Sequence, residues 1–220
     1  MPVMLLEIDG LRKAFTGPDG VRQEVVNVTR FALEPGRQTG LRGPSGSGKT
    51  TFLNLIAGIL KADSGSIKID GEDMVPLREP ARDALRARTI GYIFQTFNLL
   101  QGFTCLENVL LGMAFGAGVN RAHATQLLQR VGLEQRLHHY PRQLSTGQQQ
   151  RVAVARALAG RPKLVLADEP TGNLDPENAR QALALIKEIC SEQGASLLLV
   201  SHDQEVLGAF DQVLALDDIN

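Results

Sequence analysis

Gly43-Pro44-Ser45-Gly46-Ser47-Gly48-Lys49-Thr50 is a stretch built to wrap a backbone around an anion. It follows the spacing G-x-x-x-x-G-K-[ST]. Its glycines let successive N–H groups turn inward on a polyphosphate. Lys49 has the reach for the β- and γ-phosphates, and the Thr50 hydroxyl suits Mg²⁺. The flanks agree. Gln38-Thr39-Gly40-Leu41-Arg42 reads as a strand, and the run from Thr51 to Ala57 reads as a helix. Strand, Gly-rich loop and helix in that order aim a helix N-terminus at the bound phosphate. The expected nucleotide-binding set is therefore Gly43, Pro44, Ser45, Gly46, Ser47, Gly48, Lys49, Thr50 and Thr51.

Outward from the loop, the chain alternates between strand and helix patterns. On the N-terminal side, Leu5 to Ile8, Leu11 to Phe15 and Gln23 to Leu33 read as β-structure, the last closing at the turn signal Glu34-Pro35-Gly36. On the C-terminal side, Ser66 to Asp70 alternates cleanly, Pro80 to Arg88 reads as helix, and Thr89 to Phe94 as a buried strand. From about Asn98 to Ala159 the pattern turns helical, with Cys105 to Ala114, Arg121 to Val131 and Ser145 to Leu158 as its segments. Strands return at Leu164 to Ala167, Ser196 to Val200 and Gln212 to Leu216, with an amphipathic helix over Asn178 to Gln193. The fold class predicted is α/β: a P-loop NTPase with a mostly parallel sheet flanked by helices and an inserted helical subdomain.

Composition bounds the function. The 220 residues are 43 % hydrophobic and 21 % charged, ordinary for a globular chain. The net charge of −1, with no basic block, argues against a nucleic-acid partner. Cys105 and Cys190 are too few for a disulfide framework and are expected as small buried hydrophobes. The N-terminal run Met1 to Asp9 is too short and too acidic for a signal peptide, and no apolar run approaches the roughly 18 residues of a membrane span. Action at a membrane would then proceed through a partner.

Leu164-Val165-Leu166-Ala167-Asp168-Glu169 is an apolar strand ending in two carboxylates. That places Asp168 at the C-terminal edge of the sheet, where ligands bind in α/β folds, and lets it hold Mg²⁺, directly or through water, beside Thr50. Glu169 faces differently and is assigned as general base toward a water in line with the γ-phosphate.

Leu144-Ser145-Thr146-Gly147-Gln148, followed by Gln149-Gln150-Arg151-Val152-Ala153-Val154-Ala155-Arg156-Ala157-Leu158, closely resembles the signature motif of ABC-type ATPases. With that resemblance, which covers nearly the whole chain, come further expectations. The fold gains an N-terminal antiparallel β part. The chain is one ABC ATPase domain over 1–220, with an α/β core at 1–95 and 160–220 and the helical signature subdomain at 96–159. Phe15 matches the aromatic that stacks on adenine. Gln95 matches the glutamine that touches Mg²⁺ and hinges the helical subdomain. Asp175, in Asn173-Leu174-Asp175, matches the loop that crosses to a partner subunit. His202, in Ser201-His202-Asp203, matches the histidine that contacts the γ-phosphate. The implied catalytic set is Glu169, His202 and Gln95; the implied Mg²⁺ set is Thr50, Gln95 and Asp168.

The resemblance implies a homodimer in the ATP-bound state, with each nucleotide held by one subunit's loop and by Ser145, Thr146, Gly147 and Gln148 of the other. One departure stands out. Thr146 occupies a position usually filled by glycine, and its side chain is expected to turn away from nucleotide. The stretch Thr96 to Leu100 with Phe103 to Val109 resembles the lipoprotein-releasing, macrolide-exporting and cell-division subgroup. That implies an ATPase powered by ATP and Mg²⁺ that drives an integral membrane permease from the cytoplasmic face of the inner membrane, as a peripheral subunit. The alternative within the subgroup is a mechanotransmitting ATPase that moves no solute. A soluble ABC ATPase of DNA repair or translation would bring tandem cassettes, coiled-coil insertions or basic arms, and none is present. Phe97, Leu99, Leu100 and Phe103 either line the cleft for a membrane partner or pack inside the helical subdomain; apolar spacing alone leaves both open.

Overall fold

The computed structural model describes residues 4–44, 46–116 and 118–219. Two sheets carry the chain. The first is antiparallel, in the order β2-β1-β4-β5, built from β1 (Leu6–Thr16), β2 (Arg22–Leu33), β4 (Ser64–Ile69) and β5 (Glu72–Asp73). The second is parallel, in the order β6-β7-β8-β3-β9, built from β3 (Gln38–Arg42), β6 (Ile90–Ile93), β7 (Leu164–Asp168), β8 (Ser196–Ser201) and β9 (Gln212–Ala215). The helices are α1 (Lys49–Ile56), α2 (Glu79–Thr89), α3 (Cys105–Leu111), α4 (Arg121–Arg130), α5 (Thr146–Leu158), α6 (Pro176–Gln193), α7 (Gln204–Leu207) and α8 (Leu216–Ile219).

The central strands explain the layering. Every residue of β7 and β8 is buried, so both faces of the parallel sheet are covered. Side chains alternate between the two faces. Leu164, Leu166, Leu198 and Val200 join the core under the antiparallel sheet, with Phe52, Leu53 and Ile56 of α1. Val165, Ala167, Leu197 and Leu199 join the core under α5 and α6, with Val152, Val154, Ile186 and Ile189. That second core runs on without a break into α3 and α4 through Val109, Leu127 and Leu128. The two cysteines are both buried, as their composition suggested, and burial pushes the Cys190 thiol up to about 12.

Several boundaries differ from the sequence reading, each for a local reason. The runs at Leu5 and Leu11 fuse into one long β1. Gly10 takes a φ of +57° between them, and the pairing with β4 jumps from Asp9 to Arg12. α6 starts two residues before the expected Asn178, because Asp175 caps it by accepting from the Asn178 N–H and Pro176 fills its first turn. The last strand stops at Ala215, and Leu216 opens α8. The short β5, α7 and α8 carry too few residues for a periodic signal.

A close approach decides one glycine. A Cβ on Gly91 of β6 would lie 2.2 Å from the Ala157 carbonyl oxygen of α5 and 2.9 Å from Pro162. Strand and helix touch there backbone to backbone. Gly91→Ala is therefore expected to cost about 2 kcal/mol or more of folding stability, as overpacked sites do. Urea unfolding reads it directly; an unmoved midpoint would show that the contact gives way easily.

Candidate nucleotide site

The loop before α1 leaves that helix's first donors available. Gly48 is its N-cap, at φ +91° with no side-chain cap, so the opening N–H groups face outward for an anion. Only glycine serves there. Its φ lies in the left-handed region, and an added Cβ would meet the Val25 carbonyl oxygen at 2.7 Å. Ser45 lies outside the described residues.

Around this helix end the fold gathers a cleft of about 340 Å³ lined by Gly46, Gly48, Lys49, Thr50, Thr51, Gln95, Asp168, Glu169 and His202. β3 delivers the loop, β6 runs out toward Gln95, β7 delivers both acids, and β8 delivers His202. All are C-terminal ends of parallel strands, which is why residues remote in sequence converge. Val25 also lines the cleft. Sequence reasoning missed it, because an apolar side chain on a strand carries no sign of a ligand contact.

The charged groups are tightly interlinked. The Lys49 amine is buried and donates to the Gly43 and Pro44 carbonyls at 2.7 and 2.8 Å. It stands 3.8 Å from Oε1 of Glu169. That same oxygen accepts from Nδ1 of His202 at 2.7 Å and from the His202 backbone N–H at 3.1 Å; Oε2 accepts from the Ser201 hydroxyl at 3.1 Å. Glu169 itself sits at φ +44°. A glutamate in the left-handed region needs an over-determined setting, and this ring of donors supplies one. Asp168 differs. Burial pushes its carboxyl above the usual carboxylate range, the neighbouring Glu169 charge adds to the rise, and the Thr50 side chain and Lys49 oppose it. Its Oδ1 is buried and finds no hydrogen-bond partner among the described residues.

Other expected residues stand apart from this cleft. Phe15, near the end of β1, is 43 % exposed, with the Lys13 amine 5.5 Å over its ring. Ser145 to Gln148 open α5. There the Ser145 hydroxyl accepts from the Gln148 N–H at 3.3 Å, and the Gln148 side chain accepts from the Ser145 N–H at 3.0 Å. Such a capping box leaves the hydroxyl proton of Ser145 free to donate outward. Thr146 is exposed and not among the residues at positive φ, so its departure from glycine strains nothing. Gly147 is the crowded one, since a Cβ there would lie 3.3 Å from Oδ1 of Asn178 on α6.

The family model described as "ABC transporter" matches residues 26–172, which spans loop, signature and acidic strand. The chain belongs to the ABC transporter family. Relatives of this ABC chain include the lipoprotein-releasing system ATP-binding protein LolD 2 of Caulobacter vibrioides, 43 % identical over 97 % of this chain and 95 % of its own length. LolD 2 of Rhodospirillum rubrum is 45 % identical over 94 % and 90 %. The macrolide export ATP-binding/permease protein MacB of Syntrophobacter fumaroxidans is 39 % identical over 97 % of this chain, matched to 30 % of its own length. Two solved structures of the ATP-binding cassette MJ0796, one described as a dimeric bacterial ABC transporter cassette and one as dimeric, post-hydrolysis and bound to ADP and Pi, match with a TM-score of 0.87. They are 34 % and 33 % identical and cover 96 % of this chain. The ABC chain is a nucleotide-binding ATPase of transporter type.

Proposed function

We propose that two copies of this ABC ATPase close head to tail on two ATP molecules and open when the terminal phosphate is cleaved. The observation that carries the proposal is the division of labour on one chain. Lys49, Asp168, Glu169 and His202 share a cleft, whereas the capped N-terminus of the signature helix is exposed and lines no part of it. An outward hydroxyl at Ser145 with a 13-residue helix behind it suits a phosphate brought by another subunit. The dimeric MJ0796 cassettes support the same assembly.

Within that frame each residue takes a role. The loop from Gly43 to Thr51 cradles the phosphates, with Lys49 exchanging its loop carbonyls for phosphate oxygens. Glu169 accepts the proton of the attacking water, and the His202 N–H groups fix its carboxylate. Ser145 and Gly147 hold the γ-phosphate from the opposite copy, with Gln148 completing the cap and Asp175 anchoring the crossing loop. Phe15 stacks on the base. Mg²⁺ fits the buried, unpartnered oxygen of Asp168 with Thr50 and Gln95 beside it, since a hard cation takes few protein oxygens and keeps waters. Held there, it would supply positive charge against the phosphates.

We further propose that the ATPase works at the cytoplasmic membrane face on a permease. No helix among the described residues is long and apolar enough to cross a membrane, and the MacB match aligns the chain to the minor part of a protein named for both ATP binding and permease. The loop after Gln95 splits its apolar residues. Phe97 and Leu99 are buried, whereas Leu100 and Phe103 are 41 % and 43 % exposed. The outward pair is the contact for a cytoplasmic segment of the permease, at the root of the helical block 96–159. A double Leu100→Asp, Phe103→Asp variant is expected to hydrolyse ATP alone as before and to lose binding to the purified permease. Retained binding would move the docking site elsewhere.

Thr146 tests the signature. Thr146→Gly is expected to change ATP turnover by less than about threefold, because no strain or contact is released. A rise of orders of magnitude in a steady-state assay would mark the natural motif as impaired.

A further inference from the structure

Between Gln95 and Leu100 the backbone adopts a shape its side chains do not favour. Phe97 and Asn98 stand at φ +59° and +50° in succession. Asparagine tolerates that region, but a phenylalanine keeps such an angle only where its surroundings hold it. Arg156, in the last turn of α5, supplies the hold. Its guanidinium donates through Nη1 to the Asn98 carbonyl and through Nη2 to the Phe97 carbonyl, both at 2.6 Å. From the other side, the Asn173 side chain donates to the Gln95 carbonyl at 2.8 Å. Downstream, fully buried Asn108 donates to the Leu100 and Phe103 carbonyls at 3.2 and 3.1 Å and accepts from the Leu100 N–H at 2.9 Å.

We propose that Arg156 and Asn173 are positioning residues for Gln95. They fix its carbonyl and, two and three residues on, the Phe97 and Asn98 carbonyls, so that its side chain faces the cleft with Asp168 and Glu169. The inference rests on the reading of Gln95 as a metal contact. It adds a mechanical link, because Arg156 and Ser145 lie at opposite ends of one helix about 20 Å long. Seating of Ser145 on a partner's phosphate and seating of Gln95 on its own are thus read at the two ends of one rod. A planar fork holds the two adjacent carbonyls from two separate nitrogens at fixed spacing, whereas a lysine here would have to meet both from one rotatable ammonium, which fixes their relative orientation less firmly.

Four variants test this: Arg156→Lys, the same with Asn98→Gly, Asn173→Ala and Gln95→Ala. In nucleotide-free Arg156→Lys, the Phe97 and Asn98 amides are expected to exchange hydrogen about tenfold faster while α5 stays protected. Its kcat should fall about tenfold, with KM for ATP within about threefold, since misplacement of a reacting-site group acts on turnover. Adding Asn98→Gly should recover most of that kcat, because glycine takes positive φ freely. Asn173 is exposed, so Asn173→Ala should fold normally and lose about threefold in kcat. It should leave ATP-driven pairing in a hydrolysis-deficient background unchanged. Lost pairing would assign Asn173 to the subunit interface and overturn its role here. Unchanged exchange and turnover in Arg156→Lys would overturn the clamp, as would a loss that Asn98→Gly does not repair and that follows a lowered unfolding midpoint. Wild-type turnover in Gln95→Ala would instead remove the reading beneath it.

Discussion

Glu169→Gln is expected to bind MgATP, to hydrolyse it about a thousandfold more slowly, and to accumulate as a pair of chains. The slowing is the loss of a general base, equivalent to about 4 kcal/mol in the barrier. The geometry explains why little else should change. The amide keeps the shape of the carboxylate. Its oxygen can still accept from the His202 N–H groups where Oε1 does now, and the Ser201 hydroxyl can reverse to accept from the new NH₂. The φ of +44° is no harder for glutamine than for glutamate. Removing a negative charge beside the phosphates also favours the bound state, so the closed pair should persist. Light scattering with and without MgATP, alongside phosphate release, measures both halves. Normal turnover would take Glu169 out of the base role. A strictly monomeric variant at saturating MgATP, in solution and on its permease, would end the shared-phosphate mechanism.

How much of this was legible in the sequence follows the range of the interactions. The phosphate loop, the acidic end of β7 and the signature are local strings whose spacing is their chemistry, so they could be read without coordinates. The burial of β7 and β8 on both faces was legible in the same way, from runs with no polar alternation. Contacts made through backbone were not. Val25 lines the cleft and its own carbonyl crowds Gly48, and Gly91 is required by the Ala157 carbonyl; no side-chain pattern reports either contact. Arg156 stood in the quoted signature helix, but its targets lie 58 and 59 positions earlier in the chain. The apolar string from Phe97 to Phe103 could not reveal which members turn inward, because it opens on a left-handed pair that follows neither a strand nor a helix period. Thr146 reverses the lesson. The string marks it as the anomaly, whereas space on the folded chain is tight one residue later, at Gly147.

Lys49→Ala should lose about a hundredfold in nucleotide affinity, or about 3 kcal/mol. The amine now satisfies itself on two loop carbonyls and lies near Glu169, at the centre of the cleft. Binding ATP trades neutral acceptors for phosphate oxygens, which is the stronger, charge-assisted exchange. Truncation removes that gain. It also leaves the Glu169 carboxylate without its nearby cation, facing an anionic ligand, so repulsion adds to the loss. The fold should survive, because α1 is anchored by Phe52, Leu53, Leu55 and Ile56 rather than by the amine. Calorimetry with a non-hydrolysable ATP analogue reads the affinity, and thermal unfolding without nucleotide supplies the control. Affinity equal to wild type, in a variant that unfolds at the wild-type temperature, would undo the phosphate-loop assignment. Every later role, from the Glu169 base to the Ser145 grip across the pair, depends on a polyphosphate first being seated there.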